Sequence, residues 1–350
     1  MLPRASFGWA LASLASRVSV VPVASFLTVA LALGVSGCSS SDEAAAPDGR
    51  AGEIRGADLW KDGLQLTGIV TIAEGAVVDI EPGAKITCAE GAALYVSGTL
   101  RAKAAANHAR ISCAEWMGVV VNPKGALDLE GLELENGSAG LTLLEQSAPS
   151  RFAEGAILNA LHPIQTAKGT KLDVANIKIT TPKKVPDRQV SISEIYGTMT
   201  ATRVDYDAAS NEGISVKETG DLTISDSTLH GTNAFDLISA YKAAHLKVSY
   251  TMLTGAHCGL HIEPAESFEI DHVTSDANIF GITIYGSGNG PNTVTDSNFT
   301  GTSAWLDFQG DNGPVTFDGV YTNGREVMLG GPVPTITNTA KTPNGDAKPR

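Results

Sequence analysis

Short runs in which apolar and polar residues alternate, separated by Gly, Asn, Asp or Ser, fill the chain from about residue 57 to 330. Alternation with period two predicts half-buried β-strands rather than helices. In the C-terminal half the runs recur in a fixed order. Gly213-Ile-Ser-Val precedes Leu222-Thr-Ile-Ser, and Ala234-Phe-Asp-Leu precedes Leu246-Lys-Val-Ser. Gly259-Leu-His-Ile, Gly281-Ile-Thr-Ile and Trp305-Leu-Asp-Phe open three further units. The unit starts at 213, 234, 259, 281 and 305 are spaced by 21, 25, 22 and 24 residues. One such unit cannot bury its apolar stripe alone, whereas stacked units can. A propeller blade needs a longer period, and the Asn and Leu positions of a leucine-rich repeat are missing. The pattern therefore predicts an all-β, single-stranded parallel β-helix of 21–25 residues per coil. Its right hand follows from the preference for right-handed parallel crossovers. Residues 57–330 give ten or eleven coils, and a rise of about 4.8 Å per coil makes the domain roughly 50 Å long.

The first half is looser but compatible, with strand, Gly turn and strand in Ile69–Gly83 and further alternating runs at 92–100, 116–121 and 125–134. The phrases Ile80-Glu-Pro-Gly83 and Val96-Ser-Gly-Thr-Leu100 resemble the opening coils of the pectate-lyase-like superfamily of right-handed β-helices. That resemblance covers roughly residues 57–330. It implies the fold, and it implies little about activity, because the fold hosts many. The Arg-x-Pro-x-x-Arg pattern of pectate lyases is absent. So are the Asn-Thr-Asp, Gly-His-Gly and Arg-Ile-Lys set of polygalacturonases and the Asp-Pro-His-Asp motif of alginate epimerases. Residues 182–190, PKKVPDRQV, break the alternation and predict a projecting loop.

The ends read differently. Arg4 and Arg17 are followed by an uncharged, largely apolar stretch from Val18 to Val35 and then by Val35-Ser36-Gly37-Cys38. A basic start, an apolar run and small residues before a cleavage point describe a secretory signal. The last four residues resemble the lipobox of bacterial lipoproteins. The resemblance implies a signal peptide over 1–37 and lipidation of Cys38, so that the membrane is a partner through the anchor. Ser39 stands where an Asp would retain an enterobacterial lipoprotein in the inner membrane, which points to the outer membrane of the cell envelope. Residues 38–56 are small and polar and predict a flexible tether; residues 331–350, rich in Pro, Thr and Asn, predict a disordered tail.

With 25 Lys plus Arg against 38 Asp plus Glu, the formal net charge is −13, and loss of the leader takes it to about −15. Such a surface repels phosphate backbones, which excludes nucleic acid as a partner, and it opposes uronate polymers. Three cysteines remain besides Cys38. Ile86-Thr-Cys88-Ala-Glu and Ile111-Ser-Cys113-Ala-Glu lie one coil apart. Stacked strands would bring the two sulfurs within reach of a disulfide, and two thiols filling equivalent core sites is the equal alternative. Cys258 has no such partner and reads as a buried filler.

Candidate chemistry comes from the outward positions of the stacked strands. With Ile214, Phe235, Leu260, Ile282 and Leu306 pointing inward, one outward column holds Ser215, Asp236, His261, Thr283 and Asp307. The next holds Lys217, Ile238, Glu263, Tyr285 and Gln309. A His beside carboxylates titrates near neutral pH and can act as acid or base. Asp236, His261, Glu263 and Tyr285 are thus the catalytic candidates, and Asp307, Tyr285 and Lys217 are ligand-face candidates. No metal ligand set is expected, since His257 and His261 along one strand lie roughly 13 Å apart. No cofactor is expected either, and calcium enters only if the chain is a lyase. His272 reads as an exposed turn residue, and Asn298-Phe-Thr as an accidental glycosylation match. Two functions compete: a non-catalytic surface protein that binds or scaffolds a polysaccharide or an envelope protein, and a polysaccharide lyase or glycoside hydrolase centred on His261.

Overall fold

A computed structural model describes residues 49–350 apart from 184, 186–189, 233–234, 312, 325 and 331–332. The leader, Cys38, part of the tether and the tip of the 182–190 loop lie outside the described residues. The described residues form 32 strands and no helix. All the strand pairings are parallel, and the strands stack into a β-solenoid of about 12 turns. One unbroken register runs through it. From Glu53 each residue pairs with the one beneath it: Thr71, Tyr95, Val120, Thr142, Gln165, Glu194, Ser215, Ser239, His261, Thr283, Asp307 and Met328. Side-chain bonds between neighbouring coils here span 22, 24 or 25 residues. The step from Gln165 to Glu194 takes 29, because that coil carries the 182–190 loop.

The interior follows from the alternation. Ile214, Ile238, Leu260, Ile282 and Leu306 form an inward aliphatic ladder, each at most 1% exposed. Branched side chains stacked one coil apart exclude water over the whole length of the domain, and this area term is the main source of stability. At one corner the chain repeatedly turns through a left-handed residue: Asn176, Arg203, Asp226, Tyr250, His272, Asp296, Gly319 and Asn338 all have φ between 45° and 67°. Glycine would adopt this conformation most readily, yet this corner column uses it sparingly. Consequently long side chains such as Tyr250 and His272 project side by side, and their rings stack at 4.7 Å.

The solenoid extends beyond residues 57–330 at both ends. Strand Gly49–Ile54, inside the expected tether, pairs with Gln65–Ile72, because its backbone continues the ladder although none of its side chains is fully buried. The expected disordered tail is also ordered where it is described. Thr335–Thr337 pairs with Thr316–Asp318, and Ala340 bridges to Tyr321. The end of the chain then returns along the coils. Asn344 exchanges hydrogen bonds with Asn298 at 2.7 and 2.9 Å, and Ala347 is buried. The Arg350 guanidinium lies 3.8 Å from the Tyr250 ring centre and pairs with Asp226 at 2.9 Å. Composition marks such a tail as disordered, but docking needs only a few specific contacts.

Candidate functional site

The site lies on the outer face of the coils between Glu194 and Gln309. Its first outward column is Glu194, Ser215, Ser239, His261, Thr283 and Asp307. The second, two residues further along each strand, is Tyr196, Lys217, Tyr241, Glu263, Tyr285 and Gln309. Sequence alternation misplaces one coil here. Ile238, not Phe235, pairs with Ile214. Phe235 is 40% exposed, whereas Ile238 is fully buried. The shift of three residues reverses the parity, so Ile238 is a core residue, Ser239 takes the place expected for Asp236, and Tyr241 takes that expected for Ile238. Asp236 lies just before strand Ile238–Tyr241 and reaches the site from the adjoining bend.

Asp236 and His261 nevertheless meet. The His261 Nδ1 lies 2.6 Å from Asp236 Oδ2. Asp236 Oδ1 accepts the Cys258 backbone N–H at 3.1 Å and lies 3.5 Å from His257 Nδ1. His257 is therefore close to His261 through a shared carboxylate, because it occupies the bend before strand Cys258–Ile262 and not the strand itself. The Cys258 Sγ sits 3.2 Å from His257 Nδ1 and 3.3 Å from Thr283 Oγ1. His261 Nε2 is 3.4 Å from Glu263 Oε2 but outside hydrogen-bond geometry, and that nitrogen is sealed from solvent. Tyr241 and Tyr285 enclose the ring, with centroid distances of 5.8 and 5.3 Å.

Around this core the column is polar yet covered. Ser215, Ser239, Thr283 and Asp307 face outward but are 0, 0, 1 and 2% exposed. They form a covered polar line along this face. The Ser239 hydroxyl is 2.7 Å from Glu212 Oε1 and 3.0 Å from the Ser215 hydroxyl. The Tyr285 hydroxyl donates to Asp307 Oδ2 at 2.5 Å, and the Gln309 amide to Asp307 Oδ1 at 2.7 Å. Lys217 pairs with Glu194 at 2.5 Å.

Burial and charge set the ionisation. Burial pulls the His261 imidazole down, but the Asp236 hydrogen bond and charge, with Glu263 and Glu212 behind, outweigh it and hold the ring above its ordinary pKa. Burial pushes Asp236 up, and the hydrogen bond and charge of His261 overcome this and hold it below the ordinary value. Glu212 is raised, by burial first and by Asp236 second, against the Ser239 bond. The Cys258 thiol and the Tyr241 and Tyr285 phenols are all raised, chiefly by burial. The tyrosines are thus neutral donors at any physiological pH.

Of the residues singled out from sequence, Asp236, His261, Glu263, Tyr285, Asp307 and Lys217 all lie on this one face. Glu194, Tyr196, Glu212, Ser239, Tyr241 and Cys258 join them unforeseen. Lys217, Tyr241, Glu263, Tyr285 and Gln309 would have been read as one column had the parity of the 234–241 coil been known; Tyr196 lies on the coil before the first recognised unit. Two groups have metal-ligating atoms within 4.8 Å of one another, Asp236–Cys258–His261 and Asp271–His272–Asp296. Elsewhere, Cys88 and Cys113 pair in register and are joined by a disulfide, with Cα atoms 4.9 Å apart. A recess of about 200 Å³ lined by Thr142, Leu144, Gln165 and Tyr196 extends the face toward the N-terminus. A larger recess of about 610 Å³ lies away from the site near Lys85 and Arg110, where Arg110 is already neutralised by Glu133 at 2.6 Å.

No family model matches the chain, and no curated protein matches it. A similar solved structure is the catalytic unit of a thermostable GH87 alpha-1,3-glucanase from Streptomyces thermodiastaticus strain HF3-3, at 11% identity and a TM-score of 0.26. The match covers 77% of this chain, and the chain spans 63% of that structure. At that score the likeness carries no argument about activity.

Proposed function

We propose that this protein binds an extended, neutral glycan along the outer face between Tyr196 and Gln309 and does not turn it over. The observation that carries this reading is the tyrosine in every second coil. Tyr196, Tyr241 and Tyr285 occupy one outward column, with Lys217 and Glu263 between them and Gln309 after the last. Two coils advance about 10 Å, close to the length of two pyranose units of an extended chain. Each phenol gives an apolar ring face together with a polar handle, and the intervening residues offer donors and acceptors to hydroxyl groups. Glu194, Glu212, Asp236, Glu263 and Asp307 line the same face against the single amine of Lys217, so a uronate polymer is repelled and a neutral one is not.

The Asp236–His261 pair favours a second reading, a lyase or hydrolase with His261 as acid or base. Against it, one ring nitrogen is held by Asp236 and the other is sealed from solvent, so neither is free to take a substrate proton. On this proposal the chain is a member of the pectate-lyase-like superfamily without that superfamily's catalytic motifs. It is held at the cell envelope by lipid on Cys38, and Cys38→Ala releases it from the membrane fraction.

The test is calorimetry with a panel of neutral and uronate polysaccharides, alongside assays for reducing ends and unsaturated products. Binding of a neutral polymer that weakens about tenfold, or ~1.4 kcal/mol, in each of Tyr241→Ala and Tyr285→Ala supports the reading. Turnover lost in His261→Ala with the fold intact replaces it with the enzyme. Preference for a uronate polymer also overturns it.

A further inference from the structure

The residues around Asp236 carry a second inference, independent of any glycan. Four ligating groups converge there from two adjacent coils: the Asp236 carboxylate, the His257 Nδ1, the Cys258 Sγ and the His261 Nδ1. We propose that Asp236, His257, Cys258 and His261 form a closed, structural zinc site.

A tetrahedral zinc with bonds of 2.0–2.3 Å to nitrogen, oxygen and sulfur holds its donors about 3.4 Å apart. His257 Nδ1 stands 3.2 Å from Cys258 Sγ and 3.5 Å from Asp236 Oδ1. The ligating atoms of Asp236, Cys258 and His261 all lie within 4.8 Å of one another. For the ion to enter, the 2.6 Å contact between His261 Nδ1 and Asp236 Oδ2 must open by under 1 Å, and His257, which touches Asp236 and Cys258 but stands outside that group of three, must swing its half-exposed ring in as the fourth ligand. The donor set is chemically selective too. One thiolate, two imidazoles and a carboxylate suit zinc, whereas calcium and magnesium require oxygen ligands.

The surroundings fit an ion in the same way. Metal-bound histidines generally direct their other nitrogen at a carboxylate, which fixes the ring. Glu263 Oε2 lies 3.4 Å from His261 Nε2, the sealed nitrogen that has no hydrogen bond otherwise. The Thr283 hydroxyl is 3.3 Å from the sulfur and can donate to the thiolate. The Cys258 N–H holds Asp236 at 3.1 Å. His257, with 46% of its side chain exposed, leaves a path for the ion, while Cys258 is buried and closes the far side. On binding, the Cys258 thiol and any protonated imidazole release their protons to solvent, leaving thiolate and neutral rings on the metal. The other cluster, Asp271–His272–Asp296, lacks sulfur, and Lys348 and Arg350 line the recess beside His272, which disfavours a cation there. A filled site would pin the bend at His257 to the preceding coil and fix His261 between Tyr241 and Tyr285.

The experiment uses the full chain carrying Cys38→Ser, so that with Cys88 and Cys113 joined, Cys258 is the one free thiol. The protein is stripped with a chelator and titrated with Co²⁺, then Zn²⁺. One equivalent of Co²⁺ giving a thiolate charge-transfer band and intense tetrahedral d–d bands, both bleached by Zn²⁺, is the expected result. Competition with a chromophoric chelator should show zinc affinity falling at least about tenfold in Glu263→Gln and further in His257→Gln. A cobalt complex without the charge-transfer band overturns the proposal. So does zinc affinity unchanged in His257→Gln, a variant at an exposed position that does not depend on replacing buried Cys258.

Discussion

The disulfide between Cys88 and Cys113 gives a perturbation whose size follows from the fold. The two residues are register partners on adjacent coils and close a loop of 25 residues. In the chain-entropy account, a loop of that length removes about 12 cal/mol/K from the unfolded ensemble, or about 3.5 kcal/mol at 25 °C. In a solenoid each coil touches only its neighbours, so the loss on reduction is confined to nearby coils. We expect Cys88→Ala/Cys113→Ala, or reduction of the native chain, to lower the local opening free energy of strands Gln65–Ile72, Lys85–Cys88 and Ala109–Val121 by that amount. Each 1.4 kcal/mol is tenfold, so amide exchange there should quicken by roughly several hundred-fold. Strands of the C-terminal coils, such as Asn292–Thr295, should exchange as before. Hydrogen exchange read by mass spectrometry on matched oxidised and reduced samples measures both regions at once. Unchanged protection around Cys88 refutes the entropic estimate, and an equal loss in the C-terminal strands refutes nearest-neighbour stability.

Tyr206 is wholly buried, donates to the Gly213 carbonyl at 3.1 Å and meets the Ser193 hydroxyl at 3.1 Å. Tyr206→Phe leaves both buried partners short of a bond and should cost about 1–3 kcal/mol in urea unfolding; no change in midpoint would show that water replaces the hydroxyl. The Asp226 carboxyl is held below its ordinary pKa by its Arg350 hydrogen bond first and by the Arg350 charge as well, against burial. A depressed folded-state pKa contributes stability above the unfolded value and loses it as pH falls through the folded one. Docking of the C-terminus should therefore weaken only at acid pH. In Arg350→Gln the Asp226 titration seen by NMR should move up, and a titration that stays put would detach the pair from the tail.

The fold was legible because the strands of a solenoid are local in sequence and their spacing is nearly regular. The ladder Ile214, Leu260, Ile282 and Leu306 could be written down before any coordinates, and so could the stacking of Cys88 on Cys113. The site was legible only in part. Ala234-Phe-Asp-Leu and Ile238-Ser-Ala-Tyr both alternate, and no single-chain pattern decides which of the two enters the ladder. Choosing the first hid Tyr241 and Ser239, and with them the tyrosine column. The assumption that His257 lies on the strand of His261 hid their convergence on Asp236, because a bend leaves no period to read. The tail escaped for a different reason. Its contacts, Asn344 on Asn298 and Arg350 on Asp226, join residues 46 and 124 positions apart, which composition cannot reveal.

What separates this face from the rest of the surface is where its polar groups lie. Elsewhere the outward positions carry half-exposed ion pairs such as Arg101 with Asp79 and Lys103 with Asp128. Pairs of that kind contribute little and cost little. On the candidate face, Asp236 and His261 keep only 12 and 15% of their side chains exposed. A buried ion pair is costly to desolvate, and well-packed apolar residues would serve stability at least as well. The first column also shows that the solenoid does not require polar groups there, since Val120 occupies the same position two coils before Gln165. Stability alone therefore does not account for Ser215, Ser239, His261, Thr283 and Asp307 in one covered line. Two of its members brace tyrosines directly: His261 packs between Tyr241 and Tyr285, and Asp307 accepts from the Tyr285 hydroxyl. The Tyr285–Asp307 hydrogen bond removes a rotamer that, on the proposed glycan-binding role, a ligand would otherwise have to freeze on binding.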